Sequence, residues 1–521
     1  MSDAPFVSSR RWRVAACALA AAVQIAFIVT SIRTIDGRPS FTLFDDAMVS
    51  MRYARNLAHG DGLVWNPGEA PVEGYTNLLW TLVLAALHAA KLPEGLISLA
   101  VMIVGSALLI ATVRSTSLVA TYLLGGGTAV IAAILTAIYY PLIFWTLRGL
   151  EVGLLAFLVI EATRIALQMS DLPLRTARIR WSILLGCALL TRTDAMIPVA
   201  ILLVWGFRQG SPILRRSVVV PVALICAGVL AAHTAFRLAY YGDILPNTYY
   251  LKMTGRPLLE RVREGAIAFA ALTRVHLWPL LAIVATGAAI NRSLRGNRGA
   301  QLLGALFFGQ AFYSIFAGGD SWEWMDFSNR FLCIALPGMF VLAGASIDAL
   351  APKASRRVPP TALVGGCTIL LAALLNFSPM RIWLTEGAFH VSDDARMVHF
   401  AREIRACTKE DATVGVVWAG TVPYHVQRTC IDLLGKNDRV VAHGPVVGRY
   451  HPGHDKWNAR HSIGELHPDV VAQTSLVWQE PGFWELVREE GYQRLGNGIL
   501  ARRGSERIDA QCLQEIQAPN W

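Results

Sequence analysis

The chain has 521 residues, of which 54% are hydrophobic and 16% charged, with mean hydropathy +0.43, whereas soluble domains carry about 25% charged residues. This composition excludes an ordinary soluble enzyme, and apolar blocks separated by short polar stretches are the layout of an integral membrane protein. The net charge of +10 does not indicate a nucleic-acid partner, because the bases sit in clusters between apolar blocks, which is the positive-inside signal of membrane topology.

In chain order, Arg10, Arg11 and Arg13 precede Val14–Ile32, which is too long for the apolar core of a signal peptide and is expected to be an uncleaved first span. A polar loop (33–76) follows outside. Within it, Asp45–His59 has the pattern of an amphipathic helix lying along the membrane surface. The stretch 77–147 is expected to cross twice, its division among 77–90, 96–123 and 127–146 being open, and 150–168 returns to the cluster Arg175/Arg178/Arg180. Trp181–Trp205 has bases at both ends and reads Leu-Thr-Arg-Thr-Asp at 190–194, which predicts two half-helices meeting at Thr191–Asp194 around a turn that lines a polar cavity. Spans are expected at 217–241, 276–290, 300–317, 331–350 and 361–378. With the clusters Arg208/Arg215/Arg216, Arg292/Arg295/Arg298 and Lys353/Arg356/Arg357 also in the cytoplasm, the total is about eleven crossings, with the N-terminus inside and 385–521 outside.

The expected fold class is therefore a polytopic α-helical membrane protein, with a membrane domain over 1–384 and a C-terminal α/β domain over 385–521. In the tail, Ala412–Trp418 and Ile431–Leu434 read as strands, and 394–407 and 481–491 as amphipathic helices. Cys17, Cys187, Cys226, Cys333 and Cys367 lie in apolar segments, and no zinc spacing occurs. Cys407, Cys430 and Cys512 lie in the tail, where a Cys407–Cys430 disulfide with Cys512 free is expected, pairing of Cys512 being the competitor.

Ionisable residues that interrupt or border apolar helices are expensive and point to function. Arg192 and Asp194 interrupt one such stretch; a mutual salt bridge explains them as well as ligand binding does, and a base at a half-helix junction can hold a phosphate. Arg148 and Glu151 border another and could pair as i,i+3 neighbours. Asp45-Asp46 opens a helix, so the pair can serve the helix dipole; two adjacent like charges can equally hold one proton affinity high, as a general base or metal ligand requires. Glu73-Gly74-Tyr75 and Gly318–Arg330, with Asp320, are further polar motifs on the expected outer side, and the run 242–252, with Asn247, Tyr249 and Lys252, adds tyrosines and an amide suited to sugar hydroxyls, although Tyr, like Trp322 and Trp324, also forms belts at membrane interfaces.

The pattern Phe44-Asp45-Asp46-Ala47, Arg52-Tyr53-Ala54-Arg55-Asn56-Leu57, Gly62-Leu63-Val64-Trp65-Asn66-Pro67-Gly68 and Val72-Glu73-Gly74-Tyr75-Thr76-Asn77 resembles the terminal arabinofuranosyltransferases of the mycobacterial cell wall and their Gram-negative relatives, some labelled flagellar motor control proteins. The resemblance continues through Gly149-Leu150-Glu151, Leu190–Asp194, Leu245–Tyr250 with Lys252, Gly318-Gly319-Asp320, Arg330-Phe331, Ile431–Asp438 and Pro452–Lys456 with His454. It implies a C-type (GT-C) membrane glycosyltransferase that takes a pentofuranose, arabinofuranose first, from a polyprenyl-phosphate donor to an extracytoplasmic glycan or glycoprotein at the bacterial cytoplasmic membrane. It further implies Asp45 as catalytic carboxylate with Asp46 in support, and Arg192, with Arg148 and Lys252, at the lipid phosphate. Glu73, Tyr75, Glu151, Asp194, Asn247, Tyr249, Asp320 and His454 are then expected to bind substrate, and a divalent cation is possible. Lys436 departs from the pattern, since relatives often have Leu there. The rival functions are a transporter or flippase of a lipid-linked sugar, for which an internal repeat is expected and none is found, and a non-enzymatic motor or assembly partner.

Overall fold

The computed structural model describes residues 6–323, 329–350 and 360–517; Trp324 and the cluster Lys353/Arg356/Arg357 lie outside them. In chain order the elements are α1 (Phe6–Thr30), the hairpin β1 (Arg33–Ile35) and β2 (Arg38–Ser40), α2 (Asp45–His59), α3 (Leu78–Ala89), α4 (Glu94–Leu124), α5 (Gly126–Ile138), α6 (Tyr140–Leu147), α7 (Val152–Leu167), α8 (Leu174–Thr191) and α9 (Met196–Gln209). There follow α10 (Pro212–Tyr241), α11 (Asn247–Met253), α12 (Leu258–Ile290), α13 (Arg298–Ala317), α14 (Leu336–Leu350) and α15 (Pro360–Glu386). The tail supplies α16 (Val391–Ala406), β3 (Thr413–Val416), α17 (Thr421–Val426), β4 (Thr429–Asp432), α18 (Arg439–His443), β5 (Val470–Val471), α19 (Phe483–Glu489), β6 (Tyr492–Arg494), β7 (Leu500–Arg502) and α20 (Ala510–Glu515).

Six helices among the described residues are long and apolar enough to cross a membrane, or seven if α5 and α6, bent by 48° at Tyr139, count as one span. The expectation of about eleven crossings adds segments that fall short of that measure: α7, α9 and α14 are 16, 14 and 15 residues long, and α8 carries Arg175, Arg178 and Arg180, where a span needs about 20 predominantly apolar residues. Within 77–147 only α4 and the bent pair have spanning length, since α3 has 12 residues.

The residues form two compact units: Met1–Thr30, Met102–Ala232 and Leu259–Ala388 make the first, and Ser31–Val101, His233–Leu258 and Phe389–Trp521 the second. The grouping does not follow the expected 384/385 division, because the tail shares its core with the long first loop and with residues 233–258.

In the first unit α5 packs on α1 and α14. Ala16, Ala20, Ala133 and Ala137 meet Val113 there, small side chains allowing helix axes to approach closely. At the α5–α6 bend the helical ladder is broken, and the freed Tyr140 amide donates to Asn376 Oδ1 at 2.7 Å, which satisfies a group that would be costly to bury unpaired.

The second unit is built on a five-stranded sheet of order β4-β3-β5-β7-β6, with β4, β3 and β5 parallel and β7 and β6 antiparallel to their neighbours. Side chains alternate across it. Val414, Val416, Cys430 and Val470 pack against α16 through Phe400 and Ile404 and against Tyr53, Trp65 and Tyr241, while Val417, Leu433, Val471 and Leu500 pack against Phe483 and Val487 of α19 on the other face. The strand expected at Ile431–Leu434 begins two residues earlier, and the helix expected at 481–491 spans only Phe483–Glu489.

Two expectations are corrected here. Ten of the fifteen residues of α2 are buried within this unit, so α2 is a core helix and does not lie on a membrane surface; its polar face is covered by protein, with Arg52 donating to the carbonyls of Trp65, Pro423 and Arg428. The disulfide joins Cys407 to Cys512, with Cα atoms 5.6 Å apart, and Cys430 is free. The cause is the path of the chain after β7: Asp509 N–H donates to the Cys407 carbonyl at 2.9 Å and Thr408 bridges to Ile508, which brings α20 to the end of α16. Cys430 is turned into the core, where Arg52 Nη1 lies 3.6 Å from its sulfur.

Candidate active site

Asp45 and Asp46 occupy the first turn of α2. The dipole explanation alone does not account for their placement, because each carboxylate reaches a group on a distant part of the chain. Asp45 Oδ1 accepts the backbone N–H of Thr421, at the start of α17, at 2.7 Å. The approach is so close that a Cβ on Gly420 would stand 1.8 Å from the Asp45 carbonyl oxygen, so only glycine fits. Asp46 Oδ1 takes the Lys436 ammonium at 2.6 Å. Asp45 is 5% exposed. Burial pushes its carboxyl up to about 6, against the pull of the Thr421 N–H and the nearby Lys436. Burial works against the charge of Lys436, but the Asp46 carboxylate outweighs it and the ammonium is held above its ordinary range.

Lys436 stands on a turn fixed from both sides. Buried Asp432, at the end of β4, accepts from the amides of Leu434, Gly435 and Asn437 at 3.1, 3.1 and 2.7 Å. Asn247 Nδ2 donates to the carbonyls of Gly435, Lys436 and Asp438 at 2.9, 3.0 and 3.2 Å, and Tyr53 donates to Asn437 Oδ1 at 2.9 Å. Gly74 permits this packing, since a Cβ there would lie 1.8 Å from Asn437 Oδ1.

Several residues expected at substrate are thereby given structural partners. Glu73 is buried and paired with Arg237 at 2.8 Å; burial raises its carboxyl to about 7, opposed by Arg237. Its carbonyl accepts from Asn247 N–H at 3.0 Å, so Glu73 holds the asparagine that holds the Lys436 turn. The Tyr75 hydroxyl meets that of Tyr241 at 3.0 Å, whereas Tyr249 is 40% exposed. His454 is buried, beside Trp418 at 6.0 Å and stacked on His451 at 4.6 Å between ring centres. Burial, with the charges of His451, Lys436 and Lys252 nearby, pushes it down to about 3, so the imidazole is neutral. Lys456, quoted in the same motif, is structural: its ammonium donates to the Tyr250 and Ala442 carbonyls and the Thr254 hydroxyl.

In the first unit, Arg192 is the extended residue between α8 and α9, at the place where the sequence predicts a break, but α8 has 18 residues and a length of about 27 Å, more than a half-helix. Arg192 Nη2 and Nε donate to Asp194, the shortest contact at 2.6 Å, and Nη1 donates to Glu151 at 2.8 Å. One guanidinium thus serves two carboxylates, which is the salt-bridge arrangement. Asp320 is taken up by Arg330 at 2.6 Å, and Arg148 is fully buried. Among the described residues no three His, Cys, Asp or Glu side chains gather where they could hold a metal ion, and the neighbours of the aspartate pair, a lysine ammonium and a backbone N–H, are unsuited to a divalent cation.

Sequence reasoning met Lys436 only as a departure from the family pattern and gave no role to Thr421 or Arg237. An arginine near the end of the apolar helix α10 is a charge in an apolar run and marks a partner, so Arg237 had a readable signal; Thr421 had none.

Residues 387–508 match a family described as a domain of unknown function (DUF8728). No curated protein matches the sequence significantly. Solved structures similar to the chain include ArnT from Cupriavidus metallidurans bound to undecaprenyl phosphate, with TM-score 0.52, 13% identity, and coverage of 80% of this chain and 85% of that one. The archaeal oligosaccharyltransferase AglB from Archaeoglobus fulgidus, in complex with an inhibitory peptide and a dolichol-phosphate, gives TM-score 0.54 and 11% identity over 98% of this chain and 77% of that one. The Archaeoglobus fulgidus oligosaccharyltransferase tethered with an acceptor peptide containing the NVT sequon gives 0.55 and 12% over 97% and 77%. At such identities the likeness is one of fold, and the fold is that of the GT-C membrane glycosyltransferases.

Proposed function

We propose that the protein is a polyprenyl-phosphate-sugar-dependent glycosyltransferase of the cytoplasmic membrane, transferring a pentofuranose, arabinofuranose first, to an extracytoplasmic glycan or glycoprotein. The observation that carries the reading is Asp45: a buried carboxylate at a helix start, positioned by the Thr421 N–H and making no ion pair of its own among the described residues. It differs from Glu73, which Arg237 matches, and from Asp432, whose two oxygens are taken up by three backbone amides of its own turn. The GT-C fold adds support, because similar structures hold undecaprenyl phosphate and a dolichol-phosphate. The pentofuranose rests on the resemblance in the first loop.

In the reaction, the acceptor hydroxyl oxygen bonds to the anomeric carbon of the donor sugar, the carbon–oxygen bond to phosphate breaks, and its electron pair leaves on the phosphate. The hydroxyl proton passes to Asp45 Oδ2, the oxygen opposite the one held by Thr421. Lys252 holds the departing phosphate as a point charge, and neutral His454 and exposed Tyr249 offer hydrogen bonds to sugar hydroxyls. Arg192 and Arg148 are left out of this assignment, the first because two carboxylates match it and the second because it is enclosed. No step is routed through a metal ion. The Cys407–Cys512 disulfide supports an oxidising, extracytoplasmic setting for the second unit.

The test is purified protein given labelled polyprenyl-phosphate pentoses and scored for acceptor-dependent release of lipid phosphate. Release by the wild type and its loss in Asp45→Asn is the expected result. Movement of the donor across a bilayer without release of lipid phosphate would replace the reading with a flippase.

A further inference from the structure

Two chemically identical carboxylates stand next to each other at the start of α2, and they meet different partners. Asp46 meets an ammonium at 2.6 Å in a direct ion pair, and Asp45 accepts a backbone N–H at 2.7 Å while feeling the same ammonium without pairing with it. We infer that Lys436 is a positioning residue that divides the pair: it holds Asp46 in an ion pair and so leaves Asp45 as the carboxylate that exchanges a proton with substrate. The inference rests on the glycosyltransferase reading for its consequence and on geometry for its substance.

Three features support it. The ammonium is placed by its own turn and is not a free surface lysine, because the Lys436 carbonyl accepts from Asn247 Nδ2 while Asp432 and Asn437 close the turn around it. The side chains of Lys436 and Asp46 are 17% and 18% exposed, so water screens the pair weakly and the charges act over a short range at low effective dielectric. Without an ammonium the two carboxylates would interact as like charges and share their protons as a dyad, with neither committed to a role. The arrangement also gives Glu73 and Asn247 a common purpose. Glu73 fixes the Asn247 amide, and Asn247 fixes the backbone that carries Lys436.

Thr421 and Lys436 act on Asp45 beside its neighbour Asp46; Asp432 acts in turn on Lys436, and His454, which feels both Lys436 and Asp46, stands near His451 and Lys252. Of these, His454 is neutral and Asp432 is bound by amides. The experiment follows the acid limb of the kcat/KM profile in three variants. Removing the cation in Lys436→Met withdraws the favourable charge, so the limb moves to higher pH by about 1 unit or more. Removing the like charge in Asp46→Asn also frees the ammonium for Asp45, so the limb moves to lower pH. Lys436→Arg restores the wild-type limb. Opposite shifts are the signature, because a purely structural contact would lower activity in both variants without moving the limbs apart. Limbs that coincide in all variants, or that move in the same direction in Lys436→Met and Asp46→Asn, overturn the inference.

Infrared titration of protein carrying carboxyl-labelled aspartate, with the Asp45 band assigned by Asp45→Asn, reads the same shifts without a substrate. Opposite infrared shifts in a protein that transfers no sugar would sink the glycosyltransferase reading and keep the division of the pair. Transfer activity with unmoved infrared bands would do the reverse.

Discussion

Asp45 shows how much a single residue's environment decides. Its ordinary carboxyl value of 3.8 rises to about 6 because burial removes water from the charged form faster than Thr421 and Lys436 compensate. The sign for stability follows. A carboxyl with a raised value in the fold favours the folded state below about 3.8, and that contribution is lost as pH rises through about 6. At pH 7.5 the ionised Asp45 therefore costs stability, on the order of 2–3 kcal/mol, and Asp45→Asn is expected to raise the melting temperature while lowering transfer by about 100-fold or more. A thermal scan and a rate on the same preparation check both, and a lower melting temperature would reveal a structural carboxylate. For Arg192 the expectation is the opposite. Arg192→Met leaves Glu151 and Asp194 without their cation and should cost about 3–5 kcal/mol, whereas the double variant with Asp194→Asn should recover part of the loss in chemical denaturation. The aspartate pair was legible because two carboxylates opening a helix are conspicuous. Thr421 and Lys436 were not, since they reach the pair across 376 and 390 residues of chain and no local pattern records that approach.

At the level of elements, the α8–α9 break was legible because Arg192 and Asp194 interrupt an apolar run, and the strands were legible because β-branched residues cluster in β3 and β4. The burial of α2 was not legible, because an amphipathic pattern states that one face is covered but not by what. The same limit explains the disulfide: three tail cysteines permit three bridges, and the choice is made by β7 and the return of the chain past Cys407, a property of sheet order. Cys512→Ser should therefore destabilise the second unit by about 4–5 kcal/mol in the chain-entropy model for a loop of 105 residues, and Cys430→Ser should leave the bridge intact. Thiol counting after denaturation, with and without reductant, distinguishes them: Cys407 and Cys512 react only after reduction, Cys430 in both conditions. Gly420→Ala tests the packing of α17 on the start of α2, because the added methyl would sit 1.8 Å from the Asp45 carbonyl oxygen. It should lower both stability and transfer, whereas Gly496→Ala, with open space around it, should leave transfer unchanged.

For the molecule as a whole, composition alone excluded a soluble enzyme, and the apolar blocks located several long helices, as α10 over Pro212–Tyr241 against an expected 217–241 shows, although α12 begins at Leu258 against an expected 276. The grouping of the first loop with the tail was beyond the sequence, because their shared core joins Tyr53, Trp65 and Tyr75 to Phe400, Val416 and Val470 without any contiguous signal. That shared core ties the sidedness of one to the other. The tail begins after α15, the loop begins after α1, and a protein core cannot be assembled from segments on opposite sides of a bilayer. The disulfide within the same unit is of a kind that persists in oxidising compartments. Alkaline phosphatase, which folds only when exported, is therefore expected to be active when fused after Trp521 or inserted near Gly68 in the first loop, and inactive when inserted between Arg292 and Arg298, a basic cluster that the positive-inside rule assigns to the cytoplasm. Activity at Gly68 with none at Trp521 would contradict the shared core itself, and activity at neither would place the second unit, with Asp45 and Lys436, in the cytoplasm.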